Sequence, residues 1–241
     1  MNPRMNSITQ LFTRIAPGLL LALVALPAVA QGRGYSNENG LRFFGGVFEP
    51  EGDSEYWRGN ELDFTCEISD FEDVVGGLEY VHELPGNLRL MAGGSVFEGS
   101  SELAYLDYED NRGDDIVHDT TLSLASATIG LAVNLAPRRS PVIPYIGAGA
   151  GLYSWELEES GDFIDFGGQP LEIFSDTFQD DGVAVGWYWV AGLEVPVGSS
   201  ISVFAQGRWH YAEDDLEDDF ADLGKIDLGG RELTAGLSWR F

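Results

Sequence analysis

Three histidines, one cysteine and forty carboxylates are the groups in this 241-residue chain with the most direct chemical uses. The cysteine, Cys66, has no second thiol, so an intrachain disulfide is impossible. One cysteine and three histidines argue against a zinc site. Clustered carboxylates suit hard cations such as Ca²⁺. The densest runs are Glu213, Asp214, Asp215 and Glu217, Asp218, Asp219. Neither has the glycine-centred spacing of an EF-hand loop, so a plain solvated surface is the competing reading. Those cations aside, no cofactor is expected. The run Gly147 to Gly151 has a phosphate-loop flavour, but it lacks GxGxxG spacing and no helical pattern follows. The formal charge of −27, with 13 Lys+Arg against 40 Asp+Glu, excludes a general affinity for nucleic acid.

A second set of charges is placed by strand alternation. In the last stretch Leu233, Ala235, Leu237, Trp239 and Phe241 share one face, and Glu232, Thr234, Gly236, Ser238 and Arg240 the other. The apolar face carries no charge and needs either a packing layer or lipid. Segments of similar pattern fall at about 41–48, 74–84, 88–97, 122–135, 142–155, 183–197 and 201–211. Eight strands of this length are what a closed antiparallel up-and-down barrel across a membrane requires. The outward set includes Ile129, Leu131, Val133 and Leu135, then Val183, Val185, Trp187, Trp189, Ala191, Leu193 and Val195, and Ile201, Val203, Ala205, Trp209 and Tyr211. A bulge is expected near Leu122 and Leu124, where the outward phase is less clear. Trp155, Trp209, Tyr211 and Trp239 stand near strand ends, where interfacial aromatic girdles belong.

Arg42, Glu79, Arg89, Glu194, Arg208, Glu232 and Arg240 all fall on the face opposite the apolar one. An eight-stranded barrel has room inside for little more than its own side chains. Unpaired charge there costs several kcal/mol, so these residues are expected to form a Glu–Arg network, with Glu194–Arg208 as the first neighbouring pair. Gly147, Gly149 and Gly151 share this face and would make room for the arginines.

Short connections follow residues 84, 136 and 197, and long ones span about 50–73, 98–121, 156–182 and 212–230. Within them, residues 51–70, 98–119, 156–181 and 213–227 hold 32 of the 40 acids. That density repels itself unless salt or cations screen it. Tyr56, Trp57, Tyr105, Tyr108, Phe163, Phe166, Phe174, Phe178 and Phe220 interrupt the acids, either packing the loops together or forming a contact surface. At the other extreme, Arg4 and Arg14 precede an apolar run and the small residues Ala28 and Ala30. This pattern reads as a secretory signal over residues 1–30, leaving a barrel domain over 31–241.

The signal, the strand count, the alternation of connections and the ending Leu237, Trp239, Phe241 together resemble small eight-stranded outer-membrane barrels of Gram-negative bacteria, of the OmpA-transmembrane-domain, OmpX and OmpW kind. The resemblance covers the whole chain after residue 30. It implies a place in the outer membrane among its lipids, short periplasmic turns, long extracellular loops and both termini in the periplasm. It also implies that the terminal Phe241, with Trp239 and Leu237, is the signal read by the barrel-assembly machinery. A structural or cell-surface interaction role follows, and the alternative is a narrow, porin-like OmpW-like conduit with a gap beside the lumen glycines. Some such barrels modify lipid A. The deacylase type places a serine two residues after its histidine, and His82, His118 and His210 all lack one. No catalytic residue is therefore assigned, and an enzyme is the least favoured reading.

Overall fold

The computed structural model describes residues 38–168 and 170–241. The expected signal segment and its cleavage point lie outside the described residues. Ten strands form: β1 Asn39–Pro50, β2 Asp73–Glu83, β3 Leu88–Glu109, β4 Asp115–Asn134, β5 Ile143–Asp165, β6 Glu172–Pro196, β7 Ile201–Tyr211, β8 Glu213–Asp215, β9 Lys225–Asp227 and β10 Gly230–Arg240. Eight of them close a barrel in the order β1, β10, β7, β6, β5, β4, β3, β2, and β8 and β9 pair separately. Every neighbouring barrel pair is antiparallel, and β10 closes the ring against β1 with Leu41 opposite Trp239.

Parity along each strand decides which face a residue takes. Outward on β6 stand Val183, Val185, Trp187 and Leu193, each at least half exposed. Ile129 and Leu131 on β4, Leu135 just past its end, and Leu233, Leu237 and Trp239 on β10 are exposed in the same way. Trp189 stacks on Trp209 with ring centroids 3.7 Å apart, and Trp187 on Tyr211 at 4.1 Å, because the β6–β7 register sets these residues opposite each other. The apolar belt is bounded above: on β6, Asp181, Gln179 and Thr177 replace Val183 on the outward face.

Three expectations are corrected. Two of the four long connections are not loops. β3 and β4 run to Glu109 and from Asp115, and β5 and β6 run to Asp165 and from Glu172, so both hairpins continue far past the apolar belt. In water a hydrogen-bonded ladder needs no apolar outer face, so the strand outlives the alternation that revealed it. The first connection instead folds into a helix, α1 Glu55–Asp63, capped by the Ser54 side chain, which accepts from Trp57 N. Next, β4 has no bulge at Leu122 or Leu124. Pairing with both neighbours is continuous there, and both leucines point inward into an apolar core. Finally, Trp155 is not a girdle residue. It has the inward parity of Tyr145 and Tyr153, is 1% exposed, and donates from Nε1 to Asp214 at 2.8 Å.

The barrel interior therefore has two storeys. The end with the short turns is packed with charge. Towards the other end, Phe48, Phe97, Leu122, Leu124 and Trp155 meet Trp57, Phe71, Phe220 and Ile226 from the connections, and an apolar core closes the mouth.

Candidate functional site

The charged storey begins with cross-strand neighbours. Arg42 lies opposite Glu79, Glu83 opposite Arg89, and Glu232 opposite Arg208. Side chains on one face of adjacent strands are within reach of each other, so these pairs follow from register. The longer links cross the lumen. Glu83 accepts from Arg138 at 3.2 Å and from Arg89 at 2.8 Å. Arg89 reaches Glu194 at 3.0 Å, and Arg42 reaches the same carboxylate at 2.6 Å. Arg42 also donates to Glu79 at 3.0 Å, and Arg208 to the other Glu79 oxygen at 2.6 Å. The result is an unbroken alternating ladder: Arg138, Glu83, Arg89, Glu194, Arg42, Glu79, Arg208. Each carboxylate in it bridges two guanidiniums.

Above Arg208 the polar line continues through Glu232, His210 and Tyr153. His210 Nε2 lies 3.3 Å from Glu232, and Tyr153 OH lies 3.0 Å from His210 Nδ1. A tyrosine, an imidazole and a carboxylate in line are a familiar proton-relay set. Here His210 is 3% and Glu232 2% exposed, in the interior beside Phe48 and Leu124. A small cavity beside them, of about 20 Å³, has room for water.

Charge balance accounts for the ladder's viability. Arg42, Arg89 and Arg208 are buried with Glu79, Glu194 and Glu232, three cations against three anions. Aromatic faces cover the guanidiniums where carboxylates do not. Arg42 sits 4.6 Å from the Phe204 ring centroid, Arg89 4.9 Å from Tyr145 and Arg208 4.7 Å from Tyr188.

Two site expectations need correction. Glu194 does not pair with Arg208. The turn after β6 sets Pro196 opposite Ser202, so Glu194 meets Phe204 and Arg208 meets Val190, about 13 Å further along the strand. Gly149 and Gly151 of β5 make room for tyrosines rather than arginines, and Gly147 lies against Leu131 and Ala132 of β4. A Cβ on Gly149 would lie 2.6 Å from the Tyr188 ring, and one on Gly151 3.1 Å from Tyr153. Elsewhere in the barrel, Gly77 on β2 is roofed by Phe44 and Gly192 on β6 by Tyr145. Rings thus occupy the space beside Gly77, Gly149, Gly151 and Gly192. Arg240 lies apart at the short-turn mouth, donates to Ser202, and makes no ion pair among the described residues.

The sequence did not place Glu83, Arg138, His210, Tyr145 and Tyr188 in the lumen network. Glu83 has the parity of Glu79, and His210 that of Arg208, so alternation alone could have found both. Arg138 belongs to a turn and carries no such mark.

The acidic crown is organised differently. Asp214 is held by Trp155, Asp219 accepts from Gln179 N at 3.0 Å, and Glu213 faces Lys225 at 3.7 Å. Glu217 uses its backbone N–H to reach Asp180 at 2.7 Å. Glu213, Asp214 and Asp219 thus point to separate partners, and among the described residues no three His, Cys, Asp or Glu side chains converge as a metal site. Tyr56 on α1 donates to Glu159 on β5 at 2.6 Å. Burial holds the Glu159 carboxyl above its ordinary value. His118 is 1% exposed among Phe64, Tyr105 and Phe163, with neither ring nitrogen partnered, and burial pushes its pKa down to about 4. Cys66 is buried and its thiol is pushed up to about 11, first by burial and then by the nearby acids Asp70, Glu61 and Glu159.

Comparison with known proteins agrees with this architecture. Residues 19–241 match the family described as outer membrane protein beta-barrel domain. No curated protein matches the chain. Among solved structures, Neisserial surface protein A is similar with a TM-score of 0.52 at 14% identity, over 87% of this chain and 100% of that one. OprG of Pseudomonas aeruginosa is similar with a TM-score of 0.52 at 9% identity, over 86% and 98%. At these identities the likeness shows the fold alone. With the family match spanning nearly the whole chain, this protein belongs to the outer membrane protein β-barrel family, whose place is the Gram-negative outer membrane.

Proposed function

We propose that this barrel is sealed, and that it acts through its long connections at the cell surface rather than by passing solute or by catalysis. The observation that supports the reading is the electrically balanced ladder with an apolar core stacked on top of it. Two plugs of opposite chemistry in series exclude both ions and apolar solutes. In this reading the short turns and both termini are periplasmic, the acidic connections face outward, and Phe241 with Trp239 and Leu237 is read by the assembly machinery. Any divalent cations would be diffuse counterions of the crown, since no three of its described carboxylates converge. Conductance of the purified protein in planar bilayers tests the reading. The expected record is the bare-membrane baseline. A stable channel would overturn it in favour of the conduit, which would require Tyr145 and Tyr188 to leave their glycine seats.

A further inference from the structure

The sheet that rises above the apolar belt ends in an unpaired edge. β6 runs eleven residues beyond Val183 to Glu172. With a rise of about 3.3 Å per residue and a tilt near 40°, that carries its tip about 28 Å past the belt, clear of the hydrocarbon. β7 stops at Tyr211, opposite Trp187. Among the described residues no strand pairs with residues 172–186 of β6 on the side away from β5. The part near the barrel is covered, since Asp219 accepts from Gln179 N and Asp180 holds Glu217. Residues 172–178 remain. There the Thr177 N–H turns away from β5 and bonds only to the adjacent Asp176 carboxylate, at 2.8 Å.

The side chains around this edge are of two kinds. Ile173 is 41%, Phe174 38%, Leu171 41% and Phe166 56% exposed. Tyr108 of the neighbouring hairpin extends the patch, its ring 5.4 Å from Phe166. Between them stand Asp165, Glu172 and Asp176, and no base occurs anywhere in residues 156–182. Exposed edges invite an added strand, and proteins guard them with lysine, proline or bulges. This edge carries only acids. They repel a second copy of the same edge and any polyanion, and attract a cation.

We infer that residues 172–178 of β6 dock an extended cationic polypeptide whose Lys or Arg residues alternate with aliphatic ones. Its backbone completes the edge, its aliphatic face covers Ile173 and its charges meet Glu172 and Asp176. The inference rests on the proposed surface role and its outward orientation.

The full chain in zwitterionic nanodiscs, titrated with a fluorescent ten-residue alternating Lys-Val peptide, provides the test. Saturable binding by anisotropy is expected, at least tenfold weaker in 500 mM than in 50 mM salt. Ile173→Lys and Asp176→Lys each weaken it at least tenfold. Both positions lie far from the barrel, and unchanged heat-modifiable gel mobility verifies folding. An alternating Lys-Pro peptide of equal charge cannot add as a strand and binds at least tenfold more weakly. Absence of binding, equal binding by the Lys-Pro or a Glu-Val peptide, equal binding by a sulfated polysaccharide, self-association through this edge, or indifference to both substitutions would each overturn the inference. Conductance reads the sealed lumen separately, so a failure here leaves that proposal standing.

Discussion

Arg42→Met probes the ladder at its centre. Arg42 is fully buried and holds Glu194 at 2.6 Å and Glu79 at 3.0 Å, with the Phe204 ring beneath it. Methionine keeps much of the stem volume and removes the charge, leaving the buried set with two cations against three anions. Removing one partner of a buried ion pair costs about 3–5 kcal/mol. Glu194 keeps Arg89 and Glu79 keeps Arg208, which places the expected loss at the low end, about 3 kcal/mol. Arg42→Met with Glu194→Met restores neutrality, so the double variant should recover about 1–3 kcal/mol relative to the sum of the singles. Reversible urea unfolding in lipid vesicles, followed by tryptophan fluorescence, measures all four corners of the cycle. A single-variant loss below about 1 kcal/mol, or strict additivity, would refute the idea that the interior is held by coupled charge balance.

Other consequences are as concrete. Gly149→Val drives a side chain against the Tyr188 ring and the Ile129 carbonyl, and should cost about 1–3 kcal/mol in the same unfolding assay. Gly149→Ala should lie between it and the parent, and an unperturbed valine variant would mean that Tyr188 is not seated there. His118 titrates in the folded crown near 4, below its ordinary value of 6.5, so its contribution to stability is intact above 6.5 and is lost as pH falls towards 4. Asp119 beside it favours protonation, and the Phe64 and Phe163 rings against it offer no acceptor. Glu159 has the opposite sign, since a raised carboxyl pKa favours the folded crown in acid. Hydrogen exchange in α1 should therefore accelerate from pH 6.5 to 4 after correction for intrinsic rates, and His118→Phe should abolish that acceleration; identical profiles would contradict the assignment. Phe241→Ala should lower the heat-modifiable fraction recovered in outer membranes while leaving refolding of purified protein into detergent unchanged. A loss in both settings would mean that Phe241 stabilises the barrel instead of directing its assembly.

Much of the barrel was legible because parity is a local property. Once Leu233, Leu237 and Trp239 define outward on β10, Glu232 and Arg240 must point inward, and the same rule sorted β6 and β7. Parity also placed Arg42 and Glu79 on one side of adjacent strands. It could not say that Arg42 would reach Glu194, because contacts across a lumen depend on the stagger of all eight strands. The Glu194–Arg208 expectation failed one level lower, through the register set by a single turn. Trp155 was assigned by its nearness to a strand end, when its parity with Tyr145 and Tyr153 already pointed it inward. The raised hairpins were missed for another reason. Alternation reports lipid on one face, and residues 156–165 and 172–182 have water there, so their strands carry no apolar signature.

Apolar side chains face lipid around an ionic interior, and the six tryptophans report on that arrangement directly. Single-tryptophan variants refolded into vesicles of brominated lipid would be read by fluorescence quenching. Trp187, Trp189, Trp209 and Trp239 are predicted to be strongly quenched, and the buried Trp57 and Trp155 to be unaffected. Quenching of Trp155, or an unquenched Trp187 or Trp239, would contradict the arrangement.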